Sequence, residues 1–307
     1  MTEAEEHVVV LMATFNGAAY VEDQIRSILD QRGVRVRIIV RDDGSTDETR
    51  AILAHFHGRY PDLIEIMADG RGPCGSAAAN FFALLSGAAV GPNDWIALAD
   101  QDDIWFPDKL ACALVRMIDD QADGYSSNLI AFSDDANTAW QVRKNGAQRP
   151  FDYIFQGASA GCTYVLSRRA LDVVRAGLHQ MPVDVPPYAS HDWLIYALCR
   201  SANLRWALDS KARIAYRQHA ANVYGTKSGI AKVLERARMV RSSWYRNAIL
   251  WLRTMLETSP AEDQVFSRVE RLAWHDRLWL ARRAGMFRRD PQDARQLRFA
   301  LLSGLFR

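Results

Sequence analysis

The stretch 95-WIALADQDDIWFPDK-109 joins a short apolar segment to a dense group of carboxylates. Residues 95–99 form a continuous apolar run bounded by polar residues, which is typical of a buried β-strand. Asp100, Asp102 and Asp103 follow directly, and clustered carboxylates repel one another unless they are solvated or share a cation. The stretch therefore predicts a strand end that carries either a solvated turn or a site for Mg²⁺ or Mn²⁺.

Strands and helices alternate along most of the chain. Apolar and β-branched runs predict strands, and apolar residues at helical spacing predict the helices between them. The predicted strands cover 7–14, 34–40, 63–67, 95–99 and 128–135, with a further strand from 213, and the predicted helices cover 20–31, 45–56, 76–88, 109–121 and 190–201, with a strand and helix over 157–174. This alternation predicts an α/β fold with a mostly parallel sheet flanked by helices. Ligands bind such sheets beyond the carboxyl ends of the strands.

A second acidic pair, Asp42 and Asp43, follows the predicted strand 34–40. Asp-Gly is a turn signal, and Ser45 with Glu48 has the spacing of a capping box that starts the next helix. These local roles account for Ser45 but for only one of the two aspartates. A carboxylate at this edge can instead accept hydrogen bonds from the ribose or base of a nucleoside.

Two later segments carry candidate chemistry. In 190-SHDW-193, Asp192 lies in the first turn of a helix, where it either stabilises the helix dipole by about 1 kcal/mol or less, or acts as a general base. In 216-YRQH-219, Arg217 and His219 end a strand. His219 is either a structural hydrogen-bonding residue or a ligand, and Arg217 is suited to bidentate binding of a phosphate. Spacing alone favours the helix-dipole role for Asp192 and does not decide the roles of Arg217 and His219.

The composition bounds the class of protein. Of the 307 residues, 49% are hydrophobic and 24% are charged, as in an ordinary globular protein. The four cysteines lack metal-type spacing and predict free thiols in a reducing cytoplasm. No run approaches the roughly 18 to 20 apolar residues of a transmembrane helix. We therefore expect a cytoplasmic protein that does not span a membrane.

Charge is distributed unevenly. Residues 227–307 carry 17 basic and 8 acidic residues, whereas residues 1–226 carry 21 basic and 28 acidic ones. Because the last part also has the pattern of Arg- and Trp-containing helices, we expect an α/β domain over 1–226 and a basic α-helical extension over 227–307. The extension either packs on the α/β domain or contacts anionic lipid as a peripheral membrane surface.

The motifs together resemble glycosyltransferase family 2, the inverting nucleotide-sugar transferases of GT-A fold. The matching segments, collinear from residue 8 to about residue 225, are ATFNGAAYVEDQIRSILDQ, IIVRDDGSTDET, ALADQDDIWFPDKL, GCTYVLSRRAL, SHDWLIYAL and YRQHAANVYG. The combination of DQDDIW, GCT, HDW and YRQH is most similar to the subgroup that includes rhamnosyltransferases and other enzymes of bacterial surface polysaccharide synthesis, such as O-antigen.

The resemblance implies a role for each candidate residue. Asp192 would be the catalytic base, and Asp102 would be the main metal ligand, with Asp100 and His219 beside it. Asp103 would be an additional ligand or a residue at the start of the next helix. The nucleotide-sugar would contact a larger set, namely Ala13, Thr14, Phe15, Asn16, Asp42, Asp43, Asp100, Gln101, Asp102 and Arg217.

The resemblance also implies the reaction. An acceptor hydroxyl, deprotonated by Asp192, would attack the anomeric carbon of a sugar carried by dTDP, UDP or GDP, with inversion at that carbon. Mg²⁺ or Mn²⁺ would stabilise the departing diphosphate. The acceptor would be a glycan or a polyprenyl-linked hydroxyl, and rhamnose is the candidate sugar.

Two other classes of protein are less favoured. A sugar nucleotidyltransferase would carry a Gly-rich, basic loop after the first strand, whereas 13-ATFNGAAYVEDQ-24 has one glycine and no lysine or arginine. A non-catalytic nucleotide- or nucleic-acid-binding protein would use the basic C-terminal part, but that part carries tryptophans among its arginines and no known nucleic-acid module. We therefore expect no nucleic-acid partner.

Overall fold

The computed structural model of the protein describes residues 5–133, 138–144, 146–182, 184–219 and 243–307. The strands in these ranges are β1 (His7–Thr14), β2 (Arg35–Asp42), β3 (Ile64–Ile66), β4 (Trp95–Ala99), β5 (Ile104–Trp105), β6 (Gly124–Ser127), β7 (Leu129–Ser133), β8 (Ala139–Val142), β9 (Val165–Leu166), β10 (Trp206–Asp209) and β11 (Ile214–Gln218). The helices are α1 (Val21–Leu29), α2 (Thr49–Arg59), α3 (Ala77–Gly87), α4 (Lys109–Asp119), α5 (Asp152–Phe155), α6 (Arg168–His179), α7 (His191–Ser201), α8 (Trp244–Met255), α9 (Pro260–Arg271), α10 (Trp274–Arg282), α11 (Ala284–Phe287) and α12 (Pro291–Leu302), with a 3₁₀ turn at Gly161–Thr163.

The central sheet, as far as the described ranges show it, has seven strands in the order β10-β6-β9-β4-β1-β2-β3. β1 pairs in parallel with β2 and with β4, β2 pairs in parallel with β3, and β6 pairs in parallel with β10. Only β9 runs antiparallel to its neighbours in this sheet. The predicted mostly parallel α/β sheet is therefore confirmed.

The central strand β1 is buried on both faces, as a parallel strand between two helical layers must be. Its side chains alternate, so that Val9 and Leu11 enter one apolar core while Val8 and Val10 enter the other. Residues of α3, α6 and α7 fill the first core, and residues of α1, α2 and α4 fill the second. The continuous apolar run of this strand reflects that double burial.

A second, smaller sheet lies beside the carboxyl ends of the central strands, in the order β5-β11-β7-β8. β5 comes directly after the acidic group and pairs antiparallel with β11, Ile214 opposite Trp105. This pairing brings residues 217–219 next to residues 100–103. The sequence predicts β7 and β11 as strands but not their separate sheet, because the two-residue strand β5 carries no periodicity.

The C-terminal helices share a core with the α/β part. Ile249 of α8, Phe266 of α9 and Leu280 of α10 belong to the same apolar cluster as the residues of α3, α6 and α7. The predicted boundary between 226 and 227 lies outside the described residues. Among the helices that the structure describes, none combines the length and the apolar content of a membrane span.

One predicted helix start is wrong. Helix α2 begins at Thr49, and Ser45 does not cap it. The Ser45 hydroxyl donates to Asp42 and accepts the N–H of Asn16 at 2.8 Å, so it braces the loop. Asp47 instead accepts the N–H of Thr49 at 3.0 Å.

Candidate active site

The loops that follow β1, β2 and β4 are tied together at the carboxyl edge of the sheet. Thr14 Oγ1 donates to Oδ1 of Asp42 at 3.0 Å. The Gln101 amide brackets the backbone of Phe15, accepting from its N–H at 2.8 Å and donating to its carbonyl at 3.0 Å. The predicted residues on these three strand ends are therefore neighbours in space.

The tip of the first loop presents an aromatic ring. The Phe15 side chain is 53% exposed, whereas Ala13 is buried and offers only its backbone to a ligand. Asn16 has a left-handed φ of 46°, and its Oδ1 accepts the N–H of Thr46 at 2.8 Å, which fixes this turn. An exposed ring on a fixed turn is suited to stacking against a nucleotide base.

Asp42 braces the loop after β2. Its Oδ2 accepts the N–H groups of Gly44 and Ser45, at 3.2 and 2.9 Å, and Nε of Arg50 at 2.9 Å. Although burial opposes ionisation, the hydrogen bonds from Ser45 and Arg50 lower the pKa of Asp42. The structure thus gives Asp42 a loop-bracing role, and its contact with a nucleotide remains a prediction.

Asp43 faces a different segment, residues 69–76. Its carboxylate accepts the N–H groups of Cys74 and Gly75, the latter at 2.9 Å, and forms an ion pair with Arg41 at 3.1 Å. Arg41 also binds Asp69 at 3.1 Å, so it holds this segment against the end of β2. Asp43 is therefore positioned by the loop before α3, which no sequence pattern predicts.

Asp102 pairs with a residue of the small sheet. Its Oδ2 lies 2.8 Å from Nε2 of His219, whose ring stacks on Tyr20 with the centroids 4.6 Å apart. Arg217 holds the same loop, because its Nε donates to the backbone carbonyl of Asp102 at 3.1 Å. The pairing of β5 with β11 thus brings a carboxylate and an imidazole together at one point. Tyr20, the stacking partner, is a site residue that sequence reasoning missed.

Asp100 lies in strongly negative surroundings. Burial, with the charges of Asp102 and Asp192, raises the pKa of Asp100 to about 7. A hard divalent cation relieves this repulsion, and two carboxylates with an imidazole suit Mn²⁺ or Mg²⁺. In donor type, Asp100, Asp102 and His219 therefore suit the metal that the sequence predicts.

Asp103 belongs to the interior beneath these residues. Its side chain is fully buried, and its Oδ2 has no hydrogen-bond partner among the residues that the structure describes. Its ligand atom lies within 4.8 Å of those of Asp100 and Cys162. Burial, with the charge of Asp102, raises its pKa well above the usual range, and burial does the same for the Cys162 thiol. The soft Cys162 thiol suits Mn²⁺ or Mg²⁺ less well than carboxylates and an imidazole do, so Asp100, Asp102 and His219 have the better donor types.

Asp192 lies in the first turn of α7. Its Oδ1 accepts the hydroxyl of Ser190 and the N–H of Trp193, the latter at 2.7 Å. Ser190 stands at the predicted N-cap position, but its hydroxyl orients Asp192 instead of capping a backbone N–H. Because the charge of Asp192 acts on Asp100, the start of α7 faces the same group of carboxylates.

A glycine makes room for His191, the residue before Asp192. The His191 ring stacks on Phe81, with centroids 4.1 Å apart, and a Cβ at Gly161 would overlap its Nε2. Gly161 belongs to the GCT segment quoted in the sequence analysis. The sequence alone does not show that a glycine is needed there to leave room for His191. The 3₁₀ turn at Gly161–Thr163 therefore helps to place the start of α7.

The fold is the GT-A fold. The structure resembles residues 1–349 of TarS from S. aureus, with a TM-score of 0.57 and 14% identity over 97% of this chain and 88% of that one. It also resembles the mannosyltransferase PcManGT from Pyrobaculum calidifontis, solved with GDP-Man and Mn²⁺, with a TM-score of 0.52 and 18% identity over 98% and 75% of the two chains. At these identities the likeness shows the fold.

The chain belongs to glycosyl transferase family 2, whose family model matches residues 9–171. It is 32% identical over 295 residues to the dTDP-rhamnosyl transferase RfbG of Shigella flexneri, covering 96% of this chain and 100% of that protein. The predicted family, and with it the predicted enzyme class of nucleotide-sugar glycosyltransferase, is confirmed.

Proposed function

We propose that this enzyme transfers rhamnose from dTDP-rhamnose to a hydroxyl of a glycan or lipid-linked acceptor in the synthesis of a surface polysaccharide. The observation that carries the reaction is the convergence of Asp100, Asp102, His219 and Asp192 at one edge of the sheet. Full-length similarity to a dTDP-rhamnosyl transferase supports the sugar and the nucleotide.

Asp192 is the proposed catalytic base. The Ser190 hydroxyl and the Trp193 N–H both bind Oδ1, which fixes the carboxylate and directs proton transfer to Oδ2. A single base that deprotonates the acceptor on the face opposite the leaving group gives inversion at the anomeric carbon.

Asp102, Asp100 and His219 would hold the metal. Mn²⁺ or Mg²⁺ bound there supplies positive charge to the leaving diphosphate. PcManGT, which shares this fold, has been solved in complex with GDP-Man and Mn²⁺, which supports the use of a divalent cation. Arg217, whose Nε is engaged by the backbone of Asp102, keeps this loop in place and adds charge near the diphosphate.

The donor base is proposed to stack on Phe15, between the turn at Asn16 and the carboxylate of Asp43. Asp43 would accept a hydrogen bond from base or ribose once residues 74 and 75 release it. TarS has been solved with UDP-GlcNAc, which supports a nucleotide-sugar donor for this fold. Ala13, Thr14, Asp42 and Gln101 would then support the nucleotide site mainly by holding its loops in place.

A donor panel tests the sugar and the nucleotide. Purified enzyme with Mn²⁺ is incubated with dTDP-rhamnose, dTDP-glucose, UDP-GlcNAc and GDP-mannose, and release of nucleoside diphosphate is measured. The fastest release is expected from dTDP-rhamnose, and Asp192→Asn should abolish it. Faster release from another donor would reject rhamnose while leaving the family assignment intact.

We also propose that the enzyme acts at the cytoplasmic face of a membrane, with its C-terminal helices in contact with anionic lipid. Trp274, Phe299 and Leu302 of these helices are exposed, and the region is basic. Flotation with vesicles of phosphatidylcholine and phosphatidylglycerol tests this contact. Protein that stays at the bottom of the gradient would reject it.

A further inference from the structure

A cavity of about 580 Å³ lies between the start of α8, the turn from α9 to α10 and the end of α12. Its walls include four arginines, Arg246, Arg271, Arg277 and Arg307. It is separate from the active site, which lies at the carboxyl edge of the central sheet. Four guanidinium groups around one cavity are the composition of an anion site.

Most of this charge is not neutralised. Arg271 pairs with Asp276, the nitrogen and oxygen 2.9 Å apart. Within the described ranges, no acidic side chain lies at ion-pair distance from Arg246, Arg277 or Arg307. Like charges gathered in one cavity repel, so an anion bound there gains from all three.

The guanidinium groups are held in place through their Nε atoms. Nε of Arg277 donates to the carbonyl of Leu272 at 2.8 Å, Nε of Arg246 donates to Val269 at 3.1 Å, and Nε of Arg307 donates to Gly304 at 3.3 Å. For Arg277 and Arg307, this leaves both Nη groups to donate to a ligand. Such an arrangement is preorganised for a bidentate contact with phosphate oxygens.

The backbone around the cavity is shaped to allow this arrangement. Leu272 has a left-handed φ of 49°, which turns the chain so that Arg271 and Arg277 line the same space. Gly304 also has a positive φ, 74°, and a Cβ there would lie 2.7 Å from Nη1 of Arg277. A left-handed leucine costs roughly 1 kcal/mol or more, and such strain is found at functional sites.

Two exposed apolar residues are close in sequence to residues that line the cavity. Trp274, 77% exposed, lies one helical turn before Arg277, and Leu305, 46% exposed, directly follows Gly304. An exposed tryptophan and leucine next to unpaired arginines suit the boundary between phosphate headgroups and acyl chains. Binding of a soluble anion would not require exposed apolar residues.

We propose that this cavity binds the phosphate group of an anionic membrane phospholipid, with Trp274 and Leu305 in the bilayer interface. The inference rests on the proposed membrane contact and adds the site that makes it. It does not depend on the identity of the sugar.

Aromatic contacts join this site to the catalytic base. Trp193, next to Asp192, stacks on Tyr245 with the centroids 5.6 Å apart, and Phe306 contacts the same Tyr245 ring at 5.8 Å. Arg246 and Arg307, which line the cavity, directly follow these two rings in sequence. A lipid phosphate bound in the cavity would therefore orient the active site relative to the membrane and a lipid-linked acceptor.

The test compares Arg277→Gln combined with Arg307→Gln against Arg282→Gln, which removes an exposed arginine of α10 outside the cavity. Each protein is floated with vesicles of phosphatidylcholine alone or with added phosphatidylglycerol. Wild type and Arg282→Gln should float only with the anionic vesicles, and the double variant should lose at least about tenfold in bound fraction, consistent with about 1 kcal/mol per cationic residue near an anionic surface. Circular dichroism and melting temperature confirm that each variant is folded.

Three results would overturn the inference. If the double variant floats as well as wild type, the membrane contact stands but the cavity is not its site. If Arg282→Gln loses as much binding as the double variant, the contact is diffuse. If inorganic phosphate raises the melting temperature of wild type but not of the double variant, and wild type does not float, the ligand is a free phosphate and both membrane proposals fail.

Discussion

Nε2 of His219 lies 2.8 Å from Oδ2 of Asp102, although the two residues are 117 positions apart. Asp102 lies between β4 of the central sheet and β5 of the small sheet, and His219 directly follows β11 of the small sheet. The contact depends on the pairing of β5 with β11, since β5 begins two residues after Asp102. A metal site built in this way requires the small sheet as well as the central one.

Loss of the His219 imidazole should weaken the binding of the metal. We expect His219→Gln to raise the Mn²⁺ concentration for half-maximal activity by about 10- to 100-fold, because a ligand or its direct partner is removed. Donor-dependent activity is titrated with Mn²⁺ after treatment with EDTA. His179→Gln, an exposed histidine at the end of α6, is the control and should behave as wild type. Activity that survives EDTA unchanged would show that no metal is required.

Loss of the base should stop the reaction without preventing donor binding. Asp192→Asn keeps the hydrogen bonds to Oδ1 but cannot take a proton, so the rate of transfer should fall by about 10² to 10⁴. Calorimetric titration with the nucleotide-sugar should give nearly the wild-type affinity. Ser190→Ala removes only an orienting hydroxyl and should cost less. If Asp192→Asn keeps near wild-type turnover, another group is the base.

Asp100 should make the metal-free protein less stable as the pH rises. Its pKa is about 7 in the folded protein against an ordinary value of 3.8, so between about pH 4 and pH 7 the folded state holds a proton that the unfolded chain has lost. The free energy of unfolding therefore falls as the pH rises through this window. Asp100→Asn should flatten this fall, and added Mn²⁺ should reverse it for wild type. Urea denaturation in EDTA across this range measures the slope, and equal slopes for both proteins would contradict the prediction.

The buried Asp152 should be important for stability. It accepts from Arg200 and Arg289, each nitrogen 3.0 Å from a carboxylate oxygen, and it is fully buried. Asp152→Asn leaves buried guanidinium groups uncompensated and should cost about 3–5 kcal/mol. Asp172→Asn, which breaks an exposed pair with Arg168, should cost about 1 kcal/mol or less. Chemical denaturation of the two variants measures the difference, and similar losses would mean that the Asp152 network is not strongly stabilising.

Strands β1 to β4 of the central sheet could be predicted from their apolar and β-branched runs, and because these strands are parallel, Asp102 and Asp43 could be assigned to one edge. Strands β6 and β10 could not be predicted, because four residues are too few to show a period. Strands β7 and β11 could be predicted, but their separate sheet could not, because Ile104 and Trp105 of β5 show no period at all. With it, the contact between His219 and Asp102 also escaped geometric prediction and came only from the family resemblance.

The local bonds of polar residues were the less predictable part of the site. Ser45 and Ser190 both stand where a helix cap is expected, yet each hydroxyl binds an aspartate instead. The sequence gives the residue type but not whether the hydroxyl accepts a backbone N–H as a cap or donates to a nearby carboxylate. Asp43 shows the same limit, since its partners at Cys74 and Gly75 come from a loop without periodicity.

The pairing of Asp152 with Arg289 limits how this enzyme can be recombined with its relatives. Arg289 reaches from the segment before α12 to a carboxylate in α5, and it also donates to the carbonyls of Gly157 and Ala158. A chimera that exchanges only the helices after residue 243 would leave Asp152 without its partner unless the incoming sequence also has an arginine at the position of Arg289. To exchange the C-terminal helices between relatives, α5 and the loop that follows it would have to be transferred together with them.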